Sequence, residues 1–211
     1  YVHEQILELS PAQTQQVFDF LQWNAQPENR TYRYDYFYDN CATKIRDVLI
    51  QVLGDSLYFD ERHITTNYSI RELTDLYLVH QPWGDLGIDI CLGLPMDKRA
   101  DPMEYMFLPD YIESGMDNAV VSDTAGSHPL VREKIILYQQ ATAPVASFRM
   151  TDPFAVFSLL LGVTLVFSYY DWKKRRPSIW FDRIVFGVAG WIGVLLVLLW
   201  FATDHQAAAS N

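Results

Sequence analysis

PFAVFSLLLGVTLVFSYYDWKKRRPSIWFDRIVFGVAGWIGVLLVLLWFAT, residues 153–203, decides the architecture. No charged side chain interrupts Pro153 to Tyr170. That run of about 18 residues is long enough, as a helix, to cross a bilayer. Ile184 to Thr203 supplies a second apolar run of about 20 residues. Tyr169, Tyr170, Trp172 and Trp180 sit at the ends of the runs, where amphipathic rings meet headgroups. Lys173-Lys174-Arg175-Arg176 lies between them, so the positive-inside rule puts this loop in the cytoplasm. The N-terminal part and the Asp204-His205 tail are then expected outside. Gly187, Gly190 and Gly193 suit close helix packing in lipid.

The preceding segment is of another kind. The 211-residue chain has a formal net charge of −10. From Thr151 onward it carries five basic side chains (Lys173, Lys174, Arg175, Arg176, Arg183) and four acidic ones (Asp152, Asp171, Asp182, Asp204). The first 150 residues therefore keep 11 of the 16 basic and 22 of the 26 acidic groups, a net of −11. A surface so acidic disfavours nucleic acid, whose phosphates need a positive footprint. We expect a soluble domain over residues 1–150 and a membrane domain over 151–211, with helices near 153–170 and 184–203. The first residue is not Met and no signal peptide precedes the soluble part. The chain is expected to be a piece of a longer protein.

Local signals define several elements. Ser10-Pro11-Ala12-Gln13 reads as a capped helix start, with Ser10 as N-cap, Pro11 at the first position and Gln13 closing a capping box. Tyrosines 32, 34, 36 and 38 alternate within Thr31 to Tyr38, which predicts an extended segment with one aromatic face. That face is either core packing or the wall of a lipid pocket. Asp39 or Asn40 then caps a helix carrying Ala42, Ile45, Val48, Leu49 and Val52, closed by Gly54. A helix is predicted over Ser69–His80, broken by Pro82-Trp83-Gly84-Asp85. Further on we read a short buried apolar run with Cys91, a helix from Leu108 to Ala119, a turn at Gly126–Pro129 and a helix over Leu130–Gln140.

Cys41 is the candidate for chemistry. It falls in the first turn of its helix, and the helix N-terminus favours the thiolate, the nucleophilic form. Free N–H groups there can also hold an oxyanion. The alternative is a small buried hydrophobe. Cys91 reads as structural, and the two cysteines lack metal-ligand spacing. A thiol enzyme needs a base, normally His. His3, His63, His80, His128 and His205 are available, and none has a context that marks it, so no base is assigned. There is no phosphate-cradling glycine loop, zinc spacing or Gly-x-Ser-x-Gly elbow; no metal or cofactor is expected.

Several stretches together resemble one family. They are Tyr34-Asp35-Tyr36-Phe37-Tyr38-Asp39-Asn40-Cys41-Ala42-Thr43-Lys44-Ile45-Arg46-Asp47, Trp83-Gly84-Asp85-Leu86-Gly87-Ile88-Asp89, Leu92-Gly93-Leu94-Pro95-Met96-Asp97, Phe107-Leu108-Pro109-Asp110 and Phe201-Ala202-Thr203-Asp204-His205. The chain looks like part of the Lnb family, lipoprotein N-acyltransferases of Gram-negative bacteria. The resemblance implies an α+β fold, part of a permuted papain-like thiol-enzyme domain, followed by transmembrane helices. It implies that Cys41 takes an acyl chain from a phospholipid as a thioester and passes it to the N-terminal amine of a diacylglyceryl-cysteine lipoprotein. The partners would be phospholipid, lipoprotein and bilayer. The location would be the bacterial inner membrane, multi-pass, with the soluble domain in the periplasm. In related permuted folds the catalytic His precedes the Cys on a strand. His3 is expected to lie too near the start for that, so the His-bearing half and further spans are expected outside this chain, leaving it inactive alone. Two other readings use the same residues: a membrane-anchored cysteine peptidase or amidase acting on cell wall, and a non-enzymatic membrane-tethered binding module.

Overall fold

A computed structural model describes residues 1–124, 126–140, 149–202 and 207. The chain divides into two compact units, Tyr1–Ile70 with Arg99–Ala143, and Arg71–Lys98 with Pro144–Asn211. The first mixes helices and small sheets; the second is helical among its described residues.

In the first unit, β1 (Val2–Leu7) leads to α1 (Pro11–Asn24) and α2 (Cys41–Leu53). Then come β2 (Leu57–Phe59) and the start of α3 (Ile70–Leu78). After Arg99 the unit adds α5 (Pro102–Tyr105), α6 (Pro109–Asp117), β3 (Ala119–Asp123), β4 (Gly126–Pro129) and β5 (Val131–Tyr138). The predicted box closes α1: Gln13 N–H donates to Ser10 Oγ and Ser10 N–H to Gln13 Oε1. Gly54 ends α2 at φ +53, a conformation glycine adopts without a Cβ clash. One core gathers Leu49 and Leu53 of α2, Ile112 and Met116 of α6, Ala119 and Val121 of β3, and Leu130. β1 and β5 pair antiparallel, and β2, β3 and β4 form a second antiparallel sheet.

Three expectations change here. Leu130–Gln140 is not a helix: Val131–Tyr138 is β5, and its ladder with β1 supplies the hydrogen bonds that a helix would have made internally. Val131, Ile135 and Ile136 are β-branched and fit a pleated surface. Gly126–Pro129 is strand β4 rather than a turn. Among the described residues no strand pairs with Thr31–Tyr38, and it does not form one. Instead Asp35 folds the chain into a turn, its Oδ1 accepting from the Phe37 and Tyr38 N–H groups at 3.0 Å each. Phe37 points inward (5% exposed) against Phe107, while Tyr32, Tyr34 and Tyr36 are exposed, Tyr34 at 56%.

The second unit holds the rest of α3, α4 (Pro82–Cys91), α7 (Pro153–Lys174) and α8 (Ile179–Ala202). Pro82 opens α4 at its first position, where its missing N–H costs nothing. Cys91, expected buried, is the last residue of α4 and is half-buried. Leu73 is fully buried, while Leu76 and Tyr77 are exposed. Asp97 is an ion-pair partner of Arg71 at 2.6 Å.

The two apolar runs become α7 and α8, both long and apolar enough to cross a membrane. Their side chains face outward, as lipid-solvated helices require. At their junction Arg175 adopts the left-handed conformation, φ 51, and Asp171 accepts from Ser178 N–H and Oγ–H at 2.7 Å each. Phe167 stacks on Phe181 with ring centroids 4.5 Å apart. Thr203 and the Asp204-His205 tail lie outside the described residues.

Candidate active site

Three element faces of the first unit converge on one cavity of about 310 Å³. α2 contributes Cys41, Ala42 and Ile45, with Cys41 and Ile45 one helical turn apart on the same side. α6 contributes Pro109, Ile112 and Glu113, again one stripe. β1 contributes His3 and Gln5, two residues apart and so on one face. The result has an apolar half (Ala42, Ile45, Pro109, Ile112) and a polar half (His3, Gln5, Glu113), with the Cys41 thiol exposed.

Cys41 is the first residue of α2 and is set by Asn40. Asn40 Oδ1 accepts from the Ala42 and Thr43 N–H groups at 2.8 and 2.9 Å, and Asn40 N–H donates to Thr43 Oγ1 at 2.9 Å. The Asn40 amide also donates to the carbonyls of Tyr36 and Phe107, at 2.8 and 2.9 Å. One buried side chain thus fixes the helix start, the turn before it and the segment leading to α6. The cap also occupies two of the first-turn N–H groups expected to be free for an oxyanion. The Cys41 N–H has no acceptor among the described residues.

His3 corrects the sequence expectation: it lies on a strand, β1, and lines the Cys41 cavity. A register irregularity falls between Val2 and His3, the kind of bulge that re-aims a side chain. His3 Nδ1 is 2.8 Å from Glu113 Oε1. Burial pushes the Glu113 carboxyl up, but hydrogen bonds from Lys134 and His3 outweigh it and hold it below the usual range. An ionised Glu113 only accepts, so Nδ1–H is the donor, and in a neutral imidazole Nε2 is left as the acceptor. Nothing in the sequence paired His3 with Glu113, because 110 residues separate them.

Tyr34 is also near the thiol. Its phenol is raised, first by burial and then by the charge of Cys41 and of its neighbours Tyr32, Tyr36 and Asp35. The other described histidines are used elsewhere. His63 Nδ1 bonds the Asp60 carbonyl at 2.7 Å, His128 faces Asp123, and His80 sits in the turn after α3. His205 lies outside the described residues. Asp75, Asp85 and Asp89 of the second unit bring carboxylates within 4.8 Å of one another, as a cation site would. Arg71 already neutralises Asp89 at 2.9 Å, and the group is not part of the thiol cavity.

The arrangement can support nucleophilic thiol chemistry, with a nucleophile at a helix start, an imidazole in the same cavity and a carboxylate that fixes its tautomer. The family model of the Lnb N-terminal periplasmic domain matches residues 1–76. That of the Lnb transmembrane domain matches residues 145–211. No curated protein and no solved structure matches the chain.

Proposed function

The chain belongs to the Lnb family, a membrane protein family with a periplasmic region, and from this premise we propose that it is a lipoprotein N-acyltransferase whose nucleophile is Cys41. The observation that carries the reading is the shared cavity, where the exposed thiol of α2 and the Glu113-bonded imidazole of β1 meet an apolar wall.

In this reading the Cys41 sulfur attacks an ester carbonyl of a phospholipid while His3 Nε2 takes the thiol proton. The tetrahedral oxyanion is met by the Cys41 N–H. Its collapse forms a thioester and expels the lysophospholipid oxygen, to which His3 returns the proton. The N-terminal amine of a diacylglyceryl-cysteine then attacks the thioester. An amide forms, the Cys41 sulfur leaves, and His3 accepts the amine's proton and passes it to the sulfur. Two easier steps replace one difficult acyl transfer. Glu113 holds the imidazole and offsets its positive charge in each step. The apolar stripe of Ala42, Ile45, Pro109 and Ile112 supports an acyl chain rather than a polar peptide beside the sulfur. α7 and α8 support a lipid setting, and we place the protein in the bacterial inner membrane.

The test uses the full-length protein in cells lacking their own lipoprotein N-acyltransferase. Mass spectrometry of one lipoprotein's N-terminal peptide should show an added amide-linked acyl chain, absent with Cys41→Ser. Protein present in the membrane without any such chain would reject acyl transfer and favour a thiol hydrolase or a binding module.

A further inference from the structure

Lys134 lies outside the cavity and has no step in the chemistry above, yet it pairs with two carboxylates of α6. Its register partner across the β1–β5 ladder is Gln5, so both side chains leave the same face of the sheet. Both reach the end of α6. Lys134 Nζ pairs with Glu113 Oε1 and, at 2.8 Å, with Asp117 Oδ2. Gln5 Nε2 donates to Asp117 Oδ1 at 2.6 Å and to the Glu113 carbonyl at 2.9 Å. Glu113 and Asp117 are four residues apart and share one face of α6. Two strand residues therefore grip two helix residues, and Glu113 Oε1 is shared between Lys134 and His3.

We infer that Lys134, with Gln5 and Asp117, is a positioning clamp that keeps the Glu113 carboxylate ionised and aimed at His3. This rests on the proposed roles of Cys41 and His3. A single carboxylate bonded to an imidazole is free to rotate or to take up a proton; a second fixed cation on the same oxygen opposes both. Around Glu113 stand His3 from β1, Lys134 from β5, Asp117 and Asp110 from its own helix, and Cys41 across the cavity. Burial and then Glu113's charge push Asp110 up, so the carboxylates of α6 repel one another. Lys134 counters that repulsion at Glu113 and Asp117: Asp117 first and Glu113 second raise its own pKa.

The sign follows. Glu113 is held low by Lys134 and His3, so its carboxylate persists as pH falls. Without Lys134 it takes up its proton at higher pH, and the bond that orients His3 weakens there. The test measures two pH profiles on the purified full-length membrane protein, acyl transfer and alkylation of Cys41 by iodoacetamide. Lys134→Met should move the acid limb of both to higher pH by roughly half a unit or more, with rates near wild type on the alkaline side. Lys134→Arg should restore the limb. Asp117→Asn, which leaves the Lys134–Glu113 pair in place and removes a neighbouring negative charge, should not move the limb to higher pH; Lys134→Gln serves if Lys134→Met does not fold. A uniform loss at every pH, or no change, in Lys134→Met overturns the clamp. Alkylation reads the clamp even if acyl transfer is absent, so failure of the proposed reaction is seen separately.

Discussion

Cys41 and Cys91 sit at opposite ends of similar helices, in different units. Cys41 opens α2, at the end where the unsatisfied N–H groups carry partial positive charge. Cys91 closes α4, where carbonyls point outward. Cys41 is exposed in a cavity with an imidazole and a carboxylate; Cys91 is half-buried at the end of an apolar helix and lines no described cavity with a base. The residue is the same and its surroundings differ. What distinguishes Cys41 is the cap beneath it and the strand beside it, neither of which is a property of cysteine.

The largest effect separates the two directly. Cys41→Ser should abolish lipoprotein acylation, by at least about 10³-fold, while Cys91→Ser leaves the rate unchanged; equal losses would erase the contrast. Next, His3→Asn should lower the rate about 10²- to 10⁴-fold, with Glu113→Gln acting in the same direction and less. A His3 variant of wild-type rate would leave Cys41 without the base assigned to it. A smaller effect concerns stability. Asn40→Ala should cost about 1–2 kcal/mol, read from a denaturant melt, because two N–H groups and two carbonyls lose their partner. The same change at Gln81, which caps α4 without a side-chain hydrogen bond, should cost much less.

The smallest is a pH effect in the second unit. Burial first, then the charges of Asp89 and Asp85, push Asp75 up to about 6. The folded state therefore holds a proton there that the unfolded chain releases near 3.8. Between these values stability should fall as pH rises. Asp75→Asn should flatten that slope in thermal melts across the same range; an unchanged slope would assign it to another group.

The sequence was legible wherever the signal was local. The Ser10 and Asn40 caps, the Gly54 stop and both apolar spans depend on neighbours within a few residues, and all appear in the structure. Of the candidate site, Cys41 at the start of α2 was readable for that reason. His3 and Glu113 were not. Their pairing depends on β1 finding β5 across the length of the unit, and the β-branched Val131, Ile135 and Ile136 are only a weak local mark of that strand. The tyrosine alternation over Thr31–Tyr38 misled for the complementary reason: a strand pattern needs a partner strand, and Asp35 offers the backbone a turn instead.

The central claim is that Cys41 carries the acyl chain between donor and acceptor. Full-length protein incubated with phospholipid and no lipoprotein should gain the mass of one acyl chain. That mass should map to the Cys41 peptide and be removed by neutral hydroxylamine, as a thioester is. Acyl transfer that proceeds with no such adduct on Cys41, or with Cys41→Ser still competent, would contradict it.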